Sequence, residues 1–438
     1  MGTYRDRERF IPFRRRDIVE MLLAHGGLRT EEAKHNFRQF CELLQSILHF
    51  EFRKKLDLLK NAYFPFSPDQ RCRRNHSPEE LDAAATELFA TMRSVLDCAN
   101  FEDLSVANPG NAATGESTLK LKVLVEMDDF EEVRLFARGR YTVCAERDVL
   151  LGLRKRPIEY QALQRVVLMV RFKCREHFDR QERTHLPFTP GSTIVKLFKD
   201  VPRSDLMMLL PNSRAVMKTK DKLMLGVPAV AGGIPLLATK VLPAAITLFA
   251  IAGLYLGLDA RVHENQLQEL AAVLAGGLAL GGFCVQQWMK YKNKLYEFQK
   301  DLSDNLYFRN LVNNEGVFHS IVDSAEEEDC KEAFLAYYFL LVTGRALTEP
   351  ELDDLVEAWF EDSHGCTLDF EVNDALRKLE RLDLLTRSPS GRLSVPPIRE
   401  ALRRLDYIWD NYFQYNQPLS DPQAGRGELT NDRIGRSA

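Results

Sequence analysis

The chain has 438 residues, 45% hydrophobic and 28% charged, with 59 lysines and arginines against 63 aspartates and glutamates and a formal net charge of −4. That length holds about three ordinary domains, and the charged fraction requires most of the chain to fold in water, so any membrane segment is local. The near-balanced charge gives no global reason to expect a nucleic-acid partner, and the eight scattered cysteines, with no CxxC, read as reduced thiols rather than a disulfide framework or a zinc site.

The first residues, MGTYRDRERFIPFRRRD, have no apolar core and do not read as a secretory signal. Asp6 breaks the myristoylation pattern, and the acids among the arginines argue against a mitochondrial presequence. Region 1–110 is expected to be helical. Phe37, Phe40, Cys41, Leu44, Ile47, Leu48, Phe52, Leu56 and Leu59 follow the three-and-four rhythm of one helix face. A second helix opens at SPEE, where Ser77 caps, Pro78 suits the first turn and Glu80 completes a capping box. Over 111–222 the period falls to two: LKLKVLVEM, EEVRLFARG, LQRVVLMVRFK and STIVKLFKD predict an antiparallel sheet, with the first two strands joined by a hairpin across DDF.

Residues 223–240 are uncharged but broken by Pro228, Gly232, Gly233 and Pro235, which suggests an interfacial or re-entrant approach ending at Lys240. Two further runs, 241–258 and 270–289, lack charge over about 18 and about 20 residues, long enough to cross a bilayer, and enclose a charged loop at 259–269. They predict a two-span transmembrane hairpin. The lysines outside it place both termini on the cytoplasmic or matrix side, and Lys240, Trp288, Lys290 and Tyr291 are the expected interface anchors. Gly253 with Gly257, and Gly277 with Gly281, are spaced for close packing of spans within a hairpin or between protomers.

Residues 290–325 continue as a juxtamembrane helix, and the acidic cluster SAEEEDCKE that comes next is read as a solvated face. Over 326–415 come the helix AFLAYYFLLVTG, a capping box from Thr348 and Glu351, a helix capped by Asp369, the wing TRSPSGRLSV and the closing helix IREALRRLDYIWDNYF. Together they describe a winged-helix-like module. From Asp323 to Glu380 there are 17 acids against 4 bases, the reverse of a phosphate-binding surface, so a protein partner is preferred to DNA. The tail 416–438 lacks apolar content and reads as disordered.

Catalytic and nucleotide-binding signatures such as GxSxG, HExxH, the Walker loop and GxGxxG are missing, and no cofactor or metal is expected. Cys174, Glu176, His177 and His185 in CREHFDRQERTH are read as structural or surface residues, and Asp128 and Asp129 as turn residues.

The stretches RERFIPFRRRDIVEMLL, VKLFKDVPRSDLMMLLPNSRAVM and YKNKLYEFQKDLSDNLYFRNLVNNEGVFHSIVDSAEEEDCKEAFLAYYFLL resemble an uncharacterised family of two-span membrane proteins. That family includes transmembrane protein 143, mitochondrial in vertebrates, alongside bacterial members. The resemblance implies membrane residence and brings no catalytic residues. The expected class is therefore α+β: a helical and antiparallel-sheet region, a transmembrane hairpin and a winged-helix-like module. The expected location is a bacterial inner membrane, or a mitochondrial one in a eukaryote. The leading functional expectation is a membrane-anchored adaptor that binds the bilayer and, through the C-terminal module, partner proteins. The alternatives are an oligomeric channel or transport component, with Lys240 facing a pore, and a membrane-tethered enzyme.

Overall fold

The computed structural model describes residues 9–70, 76–104, 122–149, 154–216 and 266–413, with single positions at 235, 246 and 253. The chain divides into two units: one made of Met1–Ala62, Ser77–Phe101 and Phe318–Ala438, the other of Tyr63–His76 and Glu102–Val317.

In the first unit the short α1 (Arg15–Ala24) precedes the long α2 (Glu31–Tyr63), and all nine apolar residues of the α2 stripe are buried. Helix α3 (Pro78–Cys98) starts at the expected capping box, with Ser77 Oγ accepting from Glu80 N and Glu80 accepting from Ser77 N. In the second unit β1 (Glu102–Asp103) edges a five-stranded antiparallel sheet. The short β2 (Lys122–Leu124) is followed by β3 (Phe130–Val149) and β4 (Arg154–Phe172), which form one ladder. After the single-turn helix α4 (Arg175–Arg180), β5 (Thr193–Pro202) pairs with β4. Strand β6 (Arg214–Val216) pairs with β2 in a sheet of its own. The expected hairpin across DDF therefore does not form. Asp128 and Asp129 lie in a 3-10 turn, and Glu126 is drawn to Arg183 and Arg214 instead.

Helix α5 (Gln266–Arg309) runs for 44 residues into β7 (Asn310–Asn313), which completes the order β1-β3-β4-β5-β7. The period-two pattern of β7 is too short to read from sequence, because the strand runs for only four residues before Asn314 turns the chain at φ 51°.

The long helix corrects the expected fold class. Among the described residues no helix is long and apolar enough to cross a membrane. The run 270–289 is no bounded span but the first part of α5, and it continues without a break into the charged 290–309. Gly276, Gly277, Gly281 and Gly282 add little apolar area, and Gln286 and Gln287 place two amides in the last turns of the run. The transmembrane hairpin, and with it the description of an integral membrane protein, is withdrawn. Residues 223–234, 254–265 and most of 236–252 lie outside the described residues.

The chain returns to the first unit through α6 (Glu315–Thr343). Its residues from Ala333 to Leu340 are all buried, and a helix apolar on every side must be surrounded by others. Phe40 stacks on Tyr337 with ring centroids 4.0 Å apart, and Phe37 meets Tyr338 edge-on at 5.4 Å. Then come α7 (Glu349–His364), α8 (Val372–Arg381), the hairpin β8 (Thr386–Arg387) with β9 (Leu393–Ser394), and α9 (Ile398–Asp410). Helix α7 opens at its capping box and closes on Gly365 at φ 60°, whereas α8 takes Glu371 rather than Asp369 as its first flanking residue. Leu347, ahead of α7, bridges to Leu393 of the wing.

Candidate functional site

The acidic cluster is the second correction. Glu326, Glu328, Asp329 and Glu332 are buried, not solvated, and so are Lys331 and Lys378. Four segments of the same unit meet them. On one side the segment before α1 lies along α6: Lys331 Nζ donates to the carbonyls of Ile11 (2.7 Å) and Phe13 (3.1 Å) and to Glu328 Oε1 (2.5 Å). Ile11 N donates to Glu328 Oε2, and Arg15 donates to Glu326 and, through its backbone, to Glu327. On another side Lys378 of α8 pairs with Asp329 at 2.8 Å and Glu332 at 2.5 Å. Asn100, just past α3, donates to Glu332 Oε1 at 3.0 Å, and His49 of α2 lies 2.8 Å from Glu326.

Burial pushes the Glu332 carboxyl up to about 7 against the opposing pull of Lys378, whose own pKa the two acids raise. These charges are satisfied by one another. They knit four segments together, and their chemistry is structural. Asp353 of α7 is also pushed up to about 7, by partial burial and by Glu357 and Asp369.

Several basic residues around α8 and the β8–β9 hairpin are occupied as well. Arg377 pairs with Asp374, Arg381 with Glu51, and Arg387 of the wing with Glu349 and Glu380, while Arg392 donates to the Ala346 carbonyl. A phosphate backbone would have to displace each of these acids.

Among the described residues this unit has a groove between α2 and α9. Gln39, Glu42, Leu43 and Ser46 line one wall, and Leu402, Arg403 and Asp406 the other, around a cavity of about 510 Å³. Leu43 and Leu402 are half-buried against the core and form its apolar floor, while the polar residues make an exposed rim of both signs. Seven residues further along each helix stand Phe50 and Trp409, 6.5 Å apart. Tyr412 and Phe413 meet Phe50 at 4.5 and 5.5 Å, and Lys54 Nζ sits 4.5 Å above the Tyr412 ring. Tyr407, Trp409 and Phe413 remain exposed at this end. The sequence signal was there in YIWDNYF, an aromatic-rich helix end with more large rings than one buried stripe can absorb.

The residues singled out from sequence are scattered. Gly277 and Gly281 lie on α5, and a Cβ on Gly281 meets nothing within 4 Å. Gly253 is a helical position, equally open, and Gly257 and Lys240 fall outside the described residues. Trp288, Lys290 and Tyr291 follow one another along α5, with Lys292 Nζ 5.2 Å from the Trp288 ring and the Trp288 and Tyr291 rings 6.1 Å apart. His177 lies 3.5 Å from Asp128 and 3.2 Å from Gln181, a surface polar cluster. Asp129 is buried and held by both terminal nitrogens of Arg183, at 2.6 and 3.2 Å, and by Asn212 at 3.1 Å. Among the described residues no group of histidine, cysteine, aspartate and glutamate is arranged to hold a metal ion.

Residues 163–316 match a family described as a protein of unknown function (DUF3754). No solved structure matches the chain.

Proposed function

We propose that the protein is an adaptor whose helical unit binds a partner protein by taking one amphipathic helix of that partner into the groove between α2 and α9. The observation that carries this reading is the groove itself. It has an apolar floor at Leu43 and Leu402, a rim of mixed charge and an end set with exposed Trp409 and Phe413. A helix that inserts residues at i, i+4 and i+7 meets successive turns of both walls, and tryptophan and tyrosine are the side chains that most often dominate such contacts. Glu42 and Asp406 on the rim favour a helix with basic residues flanking its apolar stripe, and Arg403 favours one acid among them. The pairing of Arg377, Arg381 and Arg387 with acids of the same unit supports a protein over a nucleic-acid partner.

The test places a photo-crosslinking side chain at Ser46 and reads the captured peptide by mass spectrometry. Peptides with a three-and-four apolar rhythm are expected. The captured segment, made synthetically, should bind the purified chain at least about tenfold more weakly after Leu402→Glu, a loss of about 1.4 kcal/mol. Capture unchanged by Leu402→Glu, or binding to duplex DNA at about 150 mM salt, would sink the reading.

A further inference from the structure

The segment 9–13, ahead of α1, sits on its own unit as an extended peptide sits on a receptor. Side chains of the unit bond its backbone. The Arg9 carbonyl accepts from Asn100 Nδ2 (3.2 Å), and the Ile11 and Phe13 carbonyls accept from Lys331 Nζ (2.7 and 3.1 Å). The Ile11 and Arg15 N–H groups donate to Glu328 (3.3 Å) and Glu327 (3.1 Å). Its side chains are anchored too. Ile11 is buried, Phe13 stacks on Phe360 with centroids 5.9 Å apart, and Phe10 lies 4.9 Å from Lys331 Nζ. Arg9 Nε reaches Glu371 at 2.9 Å and Asp369 at 3.7 Å. In extended-peptide recognition, bonds to the main chain give affinity and side-chain pockets give specificity.

Two features make the segment separable. When it leaves, the buried charges beneath it keep partners of their own: Glu328 keeps Lys331, Glu332 keeps Lys378 and Glu326 keeps His49. The bonds that break pass to water. Of its five residues only Ile11 is fully buried; Phe10 and Phe13 are half-buried, and Arg9 and Pro12 are exposed. The Arg9 end also holds a surplus of acid. Asp353 stands near Asp369 and Glu371 there, with an oxygen that has no hydrogen-bond partner among the described residues. Such a surplus selects a cation at the head of any incoming peptide.

We infer that α6, α7 and the segment 369–371 form a peptide cleft, that segment 9–13 is its reversible intramolecular ligand, and that an extended partner peptide of the same chemistry replaces it. That chemistry is an arginine followed by an aromatic, an aliphatic, a proline and an aromatic residue. The site is separate from the groove between α2 and α9 and stands whether or not that groove takes a helix. A tethered ligand acts at an effective concentration of about millimolar, so the cleft stays closed until a competitor or a loosened segment opens it.

The test uses the full chain and a fluorescein-labelled peptide RFIPFR, the sequence of residues 9–14. Fluorescence anisotropy should show the peptide binding the Ile11→Asp chain at least about tenfold more tightly than the parent, because the resident segment is released. Arg9→Glu loosens the segment without touching the core and should act in the same direction with a smaller gain, so the outcome does not hang on Ile11→Asp remaining folded. Glu371→Lys added to Arg9→Glu should weaken the peptide at least about fivefold. A peptide with aspartate in place of its isoleucine should bind none of the chains. Equal binding by the parent and Arg9→Glu, no binding by either, or binding untouched by Glu371→Lys would overturn the proposal.

Discussion

Two helical stretches of this protein invert the rule that charged residues lie outside and apolar ones inside. Glu326–Glu332 of α6 has six charges in seven positions and is almost wholly buried, whereas positions 270–289 of α5 have none and present Leu274, Leu278, Val285 and Trp288 to the outside. The difference teaches that burial follows partners rather than hydropathy. The acids of α6 are met by Lys331, Lys378, Asn100, the Arg15 side chain and the backbone N–H groups of Ile11 and Arg15, so their desolvation is offset within the unit. Among the described residues the apolar stripe of α5 stays exposed.

The largest effect that tests this contrast is expected from Lys378→Met. Removing the cation leaves Asp329 and Glu332 buried against each other, at a cost of about 3–5 kcal/mol to the first unit, read by denaturant unfolding. A loss under about 1 kcal/mol would mean that the acids are protonated or hydrated in place.

A smaller effect is expected from pH. Glu332 holds its proton more tightly when folded, so between about 4.5 and about 7 the folded state binds more protons than the unfolded one. The contribution of this group to stability is therefore largest at the acid end of that window and is lost as pH rises through about 7. Glu332→Gln should flatten the slope of melting temperature against pH across the window, with Asp329 left to pair with Lys378. An unchanged slope would assign the titration to another group, of which Asp353 is the first to try.

The smallest effect on stability is expected where hydropathy alone would place the largest. Leu278→Glu should shift the unfolding free energy by no more than about 0.5 kcal/mol, because the residue is exposed. A loss of several kcal/mol would show that the stripe is covered by its own chain.

Much of the local structure was legible. The stripe from Phe37 to Leu59 gave α2 its buried face, and the Ser77 and Thr348 capping boxes gave two helix starts to the residue, because both signals depend on neighbours three or four positions away. The interiors of β3, β4 and β5 were legible from their alternation. The strand β7, the pairing of β2 with β6 and the fate of Asp369, which meets Arg9 instead of capping a helix, were not, because each depends on a residue far along the chain. The same holds for the groove: Leu43 and Leu402 are unremarkable in their own helices and acquire meaning only side by side.

The misread stretches share one cause. An uncharged run and a charged run were each judged by composition, the first as a bilayer span and the second as a solvated face, but composition reports only the cost of moving a group out of water. Whether that cost is offset depends on what stands opposite, and the lysine opposite Glu332 lies 46 residues away in sequence. The sequence by itself determined the periodicity, the two capping boxes and the mixture of helix with antiparallel sheet. Only the tertiary structure decided which charges meet, which apolar face stays bare and where two helices leave a groove, because those are contacts between segments that no local pattern encodes.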